Sequence, residues 1–211
     1  MKKLKSALVR PYETFFNLPQ IWIVPLIVFF VIFIPSIKSV EASDVIDISK
    51  KFTPSGWIGD GEYGRKYIKF SGSNMENPHS PPTSIKISYT FGPTRWGGIY
   101  WQNKPDNWGD KKGFNFSKKG LSKVTFWARG EKGSEVLEFK TGGIFSPKRQ
   151  YHDSFDASLG RLTLSKMWTH YQINLDEADL SSVVGGFVWV ASSDYNVGNK
   201  ITFYLDDIFF E

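Results

Sequence analysis

The sequence predicts an all-β domain, an antiparallel β-sandwich of jelly-roll type, behind a single hydrophobic N-terminal helix. Three observations carry this. Beyond residue 56, nine short segments alternate apolar and polar residues or are rich in β-branched and aromatic ones. Clusters of Gly, Pro, Asn, Asp and Ser separate them. No stretch sustains a helical period, and only 176–183 suits a single helical turn.

The N-terminal part reads as an export signal. Lys2, Lys3, Lys5 and Arg10 precede an apolar run from Ile21 to Ile34 that only Pro25 interrupts. Val40, Glu41 and Ala42 offer small residues at signal-peptidase spacing, which suggests cleavage before Ser43. The stretch 18–37 also has the roughly 20 residues that span a bilayer, so an uncleaved membrane anchor is an equal reading. Either way the remainder is expected outside the cytoplasm. Residues 1–42 hold five Lys/Arg and two Asp/Glu, so removing them takes the formal charge from +5 to +2. That near-neutral remainder leaves no electrostatic footprint for nucleic acid. The chain has no cysteine, which excludes disulfides and thiolate chemistry. Residues 43–56 are polar and contain Pro54 and Gly56. They read as a linker or a loosely attached first strand before the domain at 57–211.

The nine expected strands are 67–73, 83–90, 97–102, 122–130, 134–143, 161–165, 169–175, 185–193 and 200–211. A period of two sorts their side chains. Val124, Phe126 and Ala128 share one face of their strand; Thr125, Trp127 and Arg129 share the other. Leu137 and Phe139 oppose Val136, Glu138 and Lys140. Phe126, Phe139, Phe187 and Phe203 are expected in the core. The opposite faces mix Trp with Arg, Lys and Glu, a composition suited to binding.

Few residues suit catalysis. Glu135 and Glu138, three apart on a strand, face opposite sides and cannot converge on a glycosidic bond. His79, His152 and His170 lie far apart without metal-ligand spacing. "GDGEYG" (59–64) matches G-x-G-x-x-G, but strand-like residues follow it where a dinucleotide site needs a helix. Asp60 and Glu62 in that stretch are either turn carboxylates or ligands of a structural Ca²⁺. In "YLDDIFFE" one of Asp206 and Asp207 is expected to point inward, where a metal or a paired cation would offset its burial.

Aromatic residues make up 17% of the chain, about twice the usual share. Most suit a sandwich core, but "GGIYWQNKPDNWGD" (97–110) does not follow that pattern. Tyr100 and Gln102 share a strand face, Ile99 and Trp101 the other, and Trp108 sits among Pro105, Asp106, Asn107 and Gly109 in a loop. Tyr100, Gln102, Asn107 and Trp108 thus form an aromatic-plus-amide surface. Flat rings stack on the apolar face of a sugar while amides and charged groups take its hydroxyls.

These segments, with "GLSKVTFWARGEKGSEVLEFKTGG" and the closing "ITFYLDDIFFE", resemble the galactose-binding-like jelly rolls of bacterial carbohydrate-binding modules. The resemblance covers about 57–211. It implies two antiparallel sheets, a structural Ca²⁺ near the first and last strands, and glycan binding on the concave sheet or on loops at one edge. A non-catalytic glycan-binding domain of the cell envelope is the first expectation, using Tyr100, Gln102, Asn107 and Trp108 with Trp127, Arg129 and Lys140. A protein-interaction module of an envelope complex is the second, and a small glycan-active enzyme the third.

Overall fold

A computed structural model describes residues 44–211; the segment 1–42, read from sequence as an export signal or anchor, lies outside the described residues. The strands are β1 (Ile46–Asp47), β2 (Thr53–Gly59), β3 (Ile68–Asn74), β4 (Ser84–Thr90), β5 (Trp96–Gln102), β6 (Lys123–Gly130), β7 (Val136–Gly142), β8 (Asp156–Thr163), β9 (Thr169–Asn174), β10 (Gly185–Ser192) and β11 (Lys200–Phe210). A four-residue helical turn α1 (Ile48–Lys51) and a 3-10 segment (Asp60–Lys66) are the helical pieces among the described residues. None of these helices is long and apolar enough to cross a membrane.

The strands form two antiparallel sheets. The first runs β3-β4-β11-β6-β9 with β1 added to β11; the second runs β2-β5-β10-β7-β8. The nine expected strands are all present, and the fold is the jelly-roll sandwich that their spacing implied. Their inner faces meet in an aromatic core in which Phe126, Phe139, Phe187, Phe203, Trp101 and Trp189 are almost wholly buried. Phe126 lies 4.7 Å from Phe139 and 5.1 Å from Phe187, and Trp189 lies 5.0 Å edge-on to Phe203. Each such ring contributes roughly 1.5–3 kcal/mol by leaving water, and the contacts link both sheets.

Of the stretch 43–56, the described residues 44–56 are not a linker but join the domain, nearer the first-strand reading. Ile46 and Asp47 pair with Phe210 and Phe209 of β11, Ile48 and Phe52 are buried in the core, and β2 is an edge strand of the second sheet. Pro54 disguised β2, because a proline argues against a central strand; an edge strand tolerates it, here beside a register shift between Pro54 and Gly56. Asp47 caps α1 by accepting the Lys50 N–H at 3.2 Å. β8 starts five residues earlier than expected. It is the outer edge of its sheet, exposed on much of both faces, so its first half lacks a hydrophobic rhythm.

The end of β11 corrects a second expectation. Neither aspartate has to point into the core. Between Asp206 and Phe209 the strand advances three residues while β6 advances two, from Trp127 to Thr125. This bulge, with Asp207 at φ 48°, keeps both carboxylates off the inner face, Asp206 buried beneath the loop at His79 and Ser80 and Asp207 half-buried, and returns Ile208 and Phe210 to the core.

Candidate ligand-binding face

The outer face of the second sheet carries cross-strand rows of side chains. One row runs Gly56, Tyr100, Val188, Lys140, Ser158. The next runs Ile58, Gly98, Val190, Glu138, Arg161. Trp96 begins β5 on the same face as Gly98 and Tyr100 and is 42% exposed. Gly98 is a required gap in this surface, because a Cβ there would meet the Trp189 carbonyl at 2.3 Å. The result is an aliphatic floor of Ile58 and Val190 across Gly98, with Val188 of the neighbouring row wholly buried. Trp96 and Tyr100, four residues apart on a strand, stand about 13 Å from each other along it.

Trp108 closes one end. Its ring lies edge-on to Tyr100, with centroids 5.8 Å apart and planes at 76°. Polar groups line the other side of the floor. Lys140 Nζ pairs with both oxygens of Asp156, at 3.1 and 3.2 Å, and Ser158 Oγ donates to Glu138 at 2.7 Å. Arg161 lies 3.9 Å over the exposed ring of Tyr195. A cavity of about 150 Å³ opens there between Val136, Glu138, Arg161, Val190, Ser192 and Tyr195.

The electrostatics follow from depth. Burial, then the carboxylates of Asp156, Asp153 and Glu138, push the Tyr100 phenol up to about 12, so it stays a neutral donor. Asp153 lies beneath the face. Burial pushes it up to about 7, against the pull of the N–H groups of Ile144, Val184 and Gly185 that donate to it.

Of the residues singled out from sequence, Tyr100, Trp108 and Lys140 come together on this face. Gln102 and Asn107 lie beside it but are buried and engaged. Gln102 Nε2 donates to the Asn107 carbonyl at 2.9 Å, while Oε1 accepts from Ser55 Oγ at 2.8 Å. Asn107 Nδ2 donates to Asn103 Oδ1 and to the Lys111 carbonyl, both at 2.8 Å. Its Oδ1 accepts from the N–H groups of Gly109, Asp110 and Lys111. These amides hold the loop that presents Trp108 and are not placed to take a sugar hydroxyl. Gly109 completes the loop at φ 108°, where a Cβ would meet the Tyr151 carbonyl at 2.3 Å.

Trp127 and Arg129 are on a different surface. β6 belongs to the first sheet and faces outward on the opposite side of the sandwich. His79 stacks on Trp127 at 3.8 Å and 17°. Sequence reading put Glu138 on the same strand face as Lys140 but missed Trp96, Asp156, Arg161 and Tyr195 as parts of the face. A strand begun one residue earlier, at "WGGIYWQ", would have put Trp96 in register with Tyr100; nothing local marked the other three.

The four acids named for calcium do not form one donor set. Asp60 accepts from Tyr89 Oη, the N–H groups of Gly92 and Thr94, and Thr94 Oγ1, at 2.6–2.8 Å. Burial alone would raise its pKa, but the donors from Tyr89, Thr94 and Gly92 hold it below the usual value. Asp206 accepts from the N–H groups of His79 and Ser80 at 3.0 Å each. Asp207 binds His79 Nδ1 at 2.8 Å and Ser80 Oγ at 2.6 Å. Glu62 is exposed on the 3-10 segment. Each Asp60 oxygen already accepts two protein donors, and Asp206 and Asp207 bind a different loop, so the four acids do not converge on one Ca²⁺ as the structure places them. Among the described residues no group of three or more His, Asp or Glu is placed to hold a metal.

No protein-family model matches the chain, and no curated protein matches it. Solved structures do. The family 30 carbohydrate-binding module of a cellulosomal cellulase of Clostridium thermocellum is similar with a TM-score of 0.53 and 15% identity, over 80% of this chain and 97% of that one. The family 11 module of a cellulosomal cellulase of the same organism is similar with a TM-score of 0.51 and 15% identity, over 82% and 95%. The family 11 module from that organism in complex with a β-1,3-1,4-mixed-linked tetrasaccharide aligns with a TM-score of 0.51 and 14% identity, over 81% and 96%. At these identities the likeness is one of fold: the described domain has the β-sandwich architecture of carbohydrate-binding modules.

Proposed function

We propose that the domain is a non-catalytic glycan-binding module whose ligand lies on the outer face of the second sheet. The observation that carries this is the Tyr100–Trp108 pair. Two half-buried rings, Tyr100 on β5 and Trp108 on a loop held by a buried amide network, stand at the end of an aliphatic floor, with Lys140, Asp156, Glu138 and Arg161 along its side. Rings stack on the apolar faces of pyranoses, and the flanking polar groups satisfy hydroxyls. The floor extends toward Trp96, so it suits a chain of sugars better than a single ring. That the similar solved domains are by name carbohydrate-binding modules, one of them in complex with a mixed-linked tetrasaccharide, supports the reading. The basic flank and apolar run of residues 1–42 support export to the envelope, with the domain either released or anchored by 18–37.

A glycan array with the full-length protein, followed by titration calorimetry of the best ligand, tests the proposal. Binding to a polysaccharide that Trp108→Ala abolishes is the expected result. An array without a single saturable glycan ligand would remove the reading.

A further inference from the structure

The outer face of the first sheet holds a cation, Arg129, that makes no ion pair among the described residues. By register Lys86, Tyr204 and Arg129 form one row across β4, β11 and β6. The Arg129 guanidinium lies 3.7 Å over the Tyr204 ring and 5.2 Å from the Trp168 ring. Trp168 is itself fixed by donating its Nε1–H to the Asn77 carbonyl at 3.0 Å. Ring contacts orient the fork but satisfy none of its five N–H donors. Arg129 Nε is buried, and no acceptor among the described residues reaches it, an arrangement that costs free energy. The acids nearest in the fold are turned elsewhere. Asp206 and Asp207 take up the loop at His79 and Ser80, and Glu131, two residues along, makes no ion pair with Arg129. Lys86 Nζ stands 5.3 Å from the same Tyr204 ring, and its acid, the exposed Glu76, is 3.5 Å away. His79 and His170 flank Trp127 on this face.

We propose that this face is a second ligand site, for an anionic group of a saccharide chain, with Arg129 as the fork and Lys86 as a second charge. A planar carboxylate matches a guanidinium edge with two parallel hydrogen bonds. The group is a uronate carboxylate or a phosphate ester, and Trp168 offers a ring beside it, while Trp127 is covered by His79. The site is independent of the Tyr100–Trp108 face.

The test follows the full-length protein by resonance shifts of the Arg129 Nε–H and the indole N–H groups, with trigalacturonate and inorganic phosphate as separate probes. Trigalacturonate is expected to shift Arg129 and Trp168 and to leave Trp108 unmoved. A stronger response to phosphate upholds the site and assigns the phosphate ester as its source. Arg129→Gln should weaken the preferred probe at least tenfold, Lys86→Gln severalfold, and Trp108→Ala not at all. Shifts confined to Trp108, no response to either probe, or unchanged affinity in a folded Arg129→Gln protein would overturn the proposal. Should Arg129→Gln not fold, the wild-type shifts and Lys86→Gln still decide. Binding of a neutral glycan, lost in Trp108→Ala, reports on the first face separately.

Discussion

Trp108 meets Tyr100 edge-on at 5.8 Å although a whole loop separates them in the chain. The loop that brings them together is organised by one buried side chain, Asn107, through five hydrogen bonds. Ring and scaffold are therefore different residues with different consequences when changed.

Truncating the rings should separate binding from stability. Trp108→Ala is expected to abolish glycan affinity while costing about 1 kcal/mol or less, as for a half-exposed loop residue. Phe126→Ala, in the core, should cost about 3–5 kcal/mol. Chemical denaturation beside calorimetric affinity checks both. Equal losses of stability would mean that Trp108 is packing.

Asn107→Ala should behave as a scaffold change. It leaves the N–H groups of Gly109, Asp110 and Lys111 without their acceptor, at about 1–3 kcal/mol for a buried group. Hydrogen exchange at 108–112 should quicken, and affinity should fall because Trp108 is no longer held. Intact protection with altered sugar preference would instead make Asn107 a direct ligand contact.

Asp153 gives stability a pH dependence of definite sign. Its folded pKa of about 7 lies above the 3.8 of an ordinary Asp. Between these values the unfolded chain has released the proton and the folded chain keeps it. The contribution of Asp153 to stability is thus full below about 4 and falls as pH rises to about 7. Melting temperatures at pH 5 and 8 should differ in this direction, and less so in Asp153→Asn. An equal difference in both proteins would assign the effect to other groups.

Chelation should leave the melting temperature unchanged. Every oxygen of Asp60 already accepts a protein donor, and Asp206 and Asp207 hold His79 and Ser80. A drop on adding EDTA, restored by Ca²⁺, would show a cation site elsewhere in the protein.

Protease added to intact spheroplasts should digest the domain if residues 1–42 direct export. N-terminal sequencing then separates a form beginning at Ser43 from an anchored one. Protection until the membrane is lysed would reverse the topology.

The sequence by itself determined the fold class and the facing of each central strand. Alternation with period two is local, so Phe126, Phe139, Phe187 and Phe203 announced the core, and Tyr100 could be told from Ile99 and Trp101. It could not determine which sheet each strand joins. Trp127 and Lys140 read alike on their strands, yet β6 and β7 lie in opposite layers, and only long-range pairing with β11 and β10 decides this. The same holds for the amides. A polar loop residue looks available until its hydrogen bonds are known, and those of Gln102 and Asn107 are spent inside the protein, on Ser55, Asn103 and the loop's own backbone. The bulge at Asp206 and Asp207 is a further case, for one inserted residue reverses the facing that alternation assigns. Periodicity is a property of neighbours in the chain, whereas a binding face is made by neighbours in space.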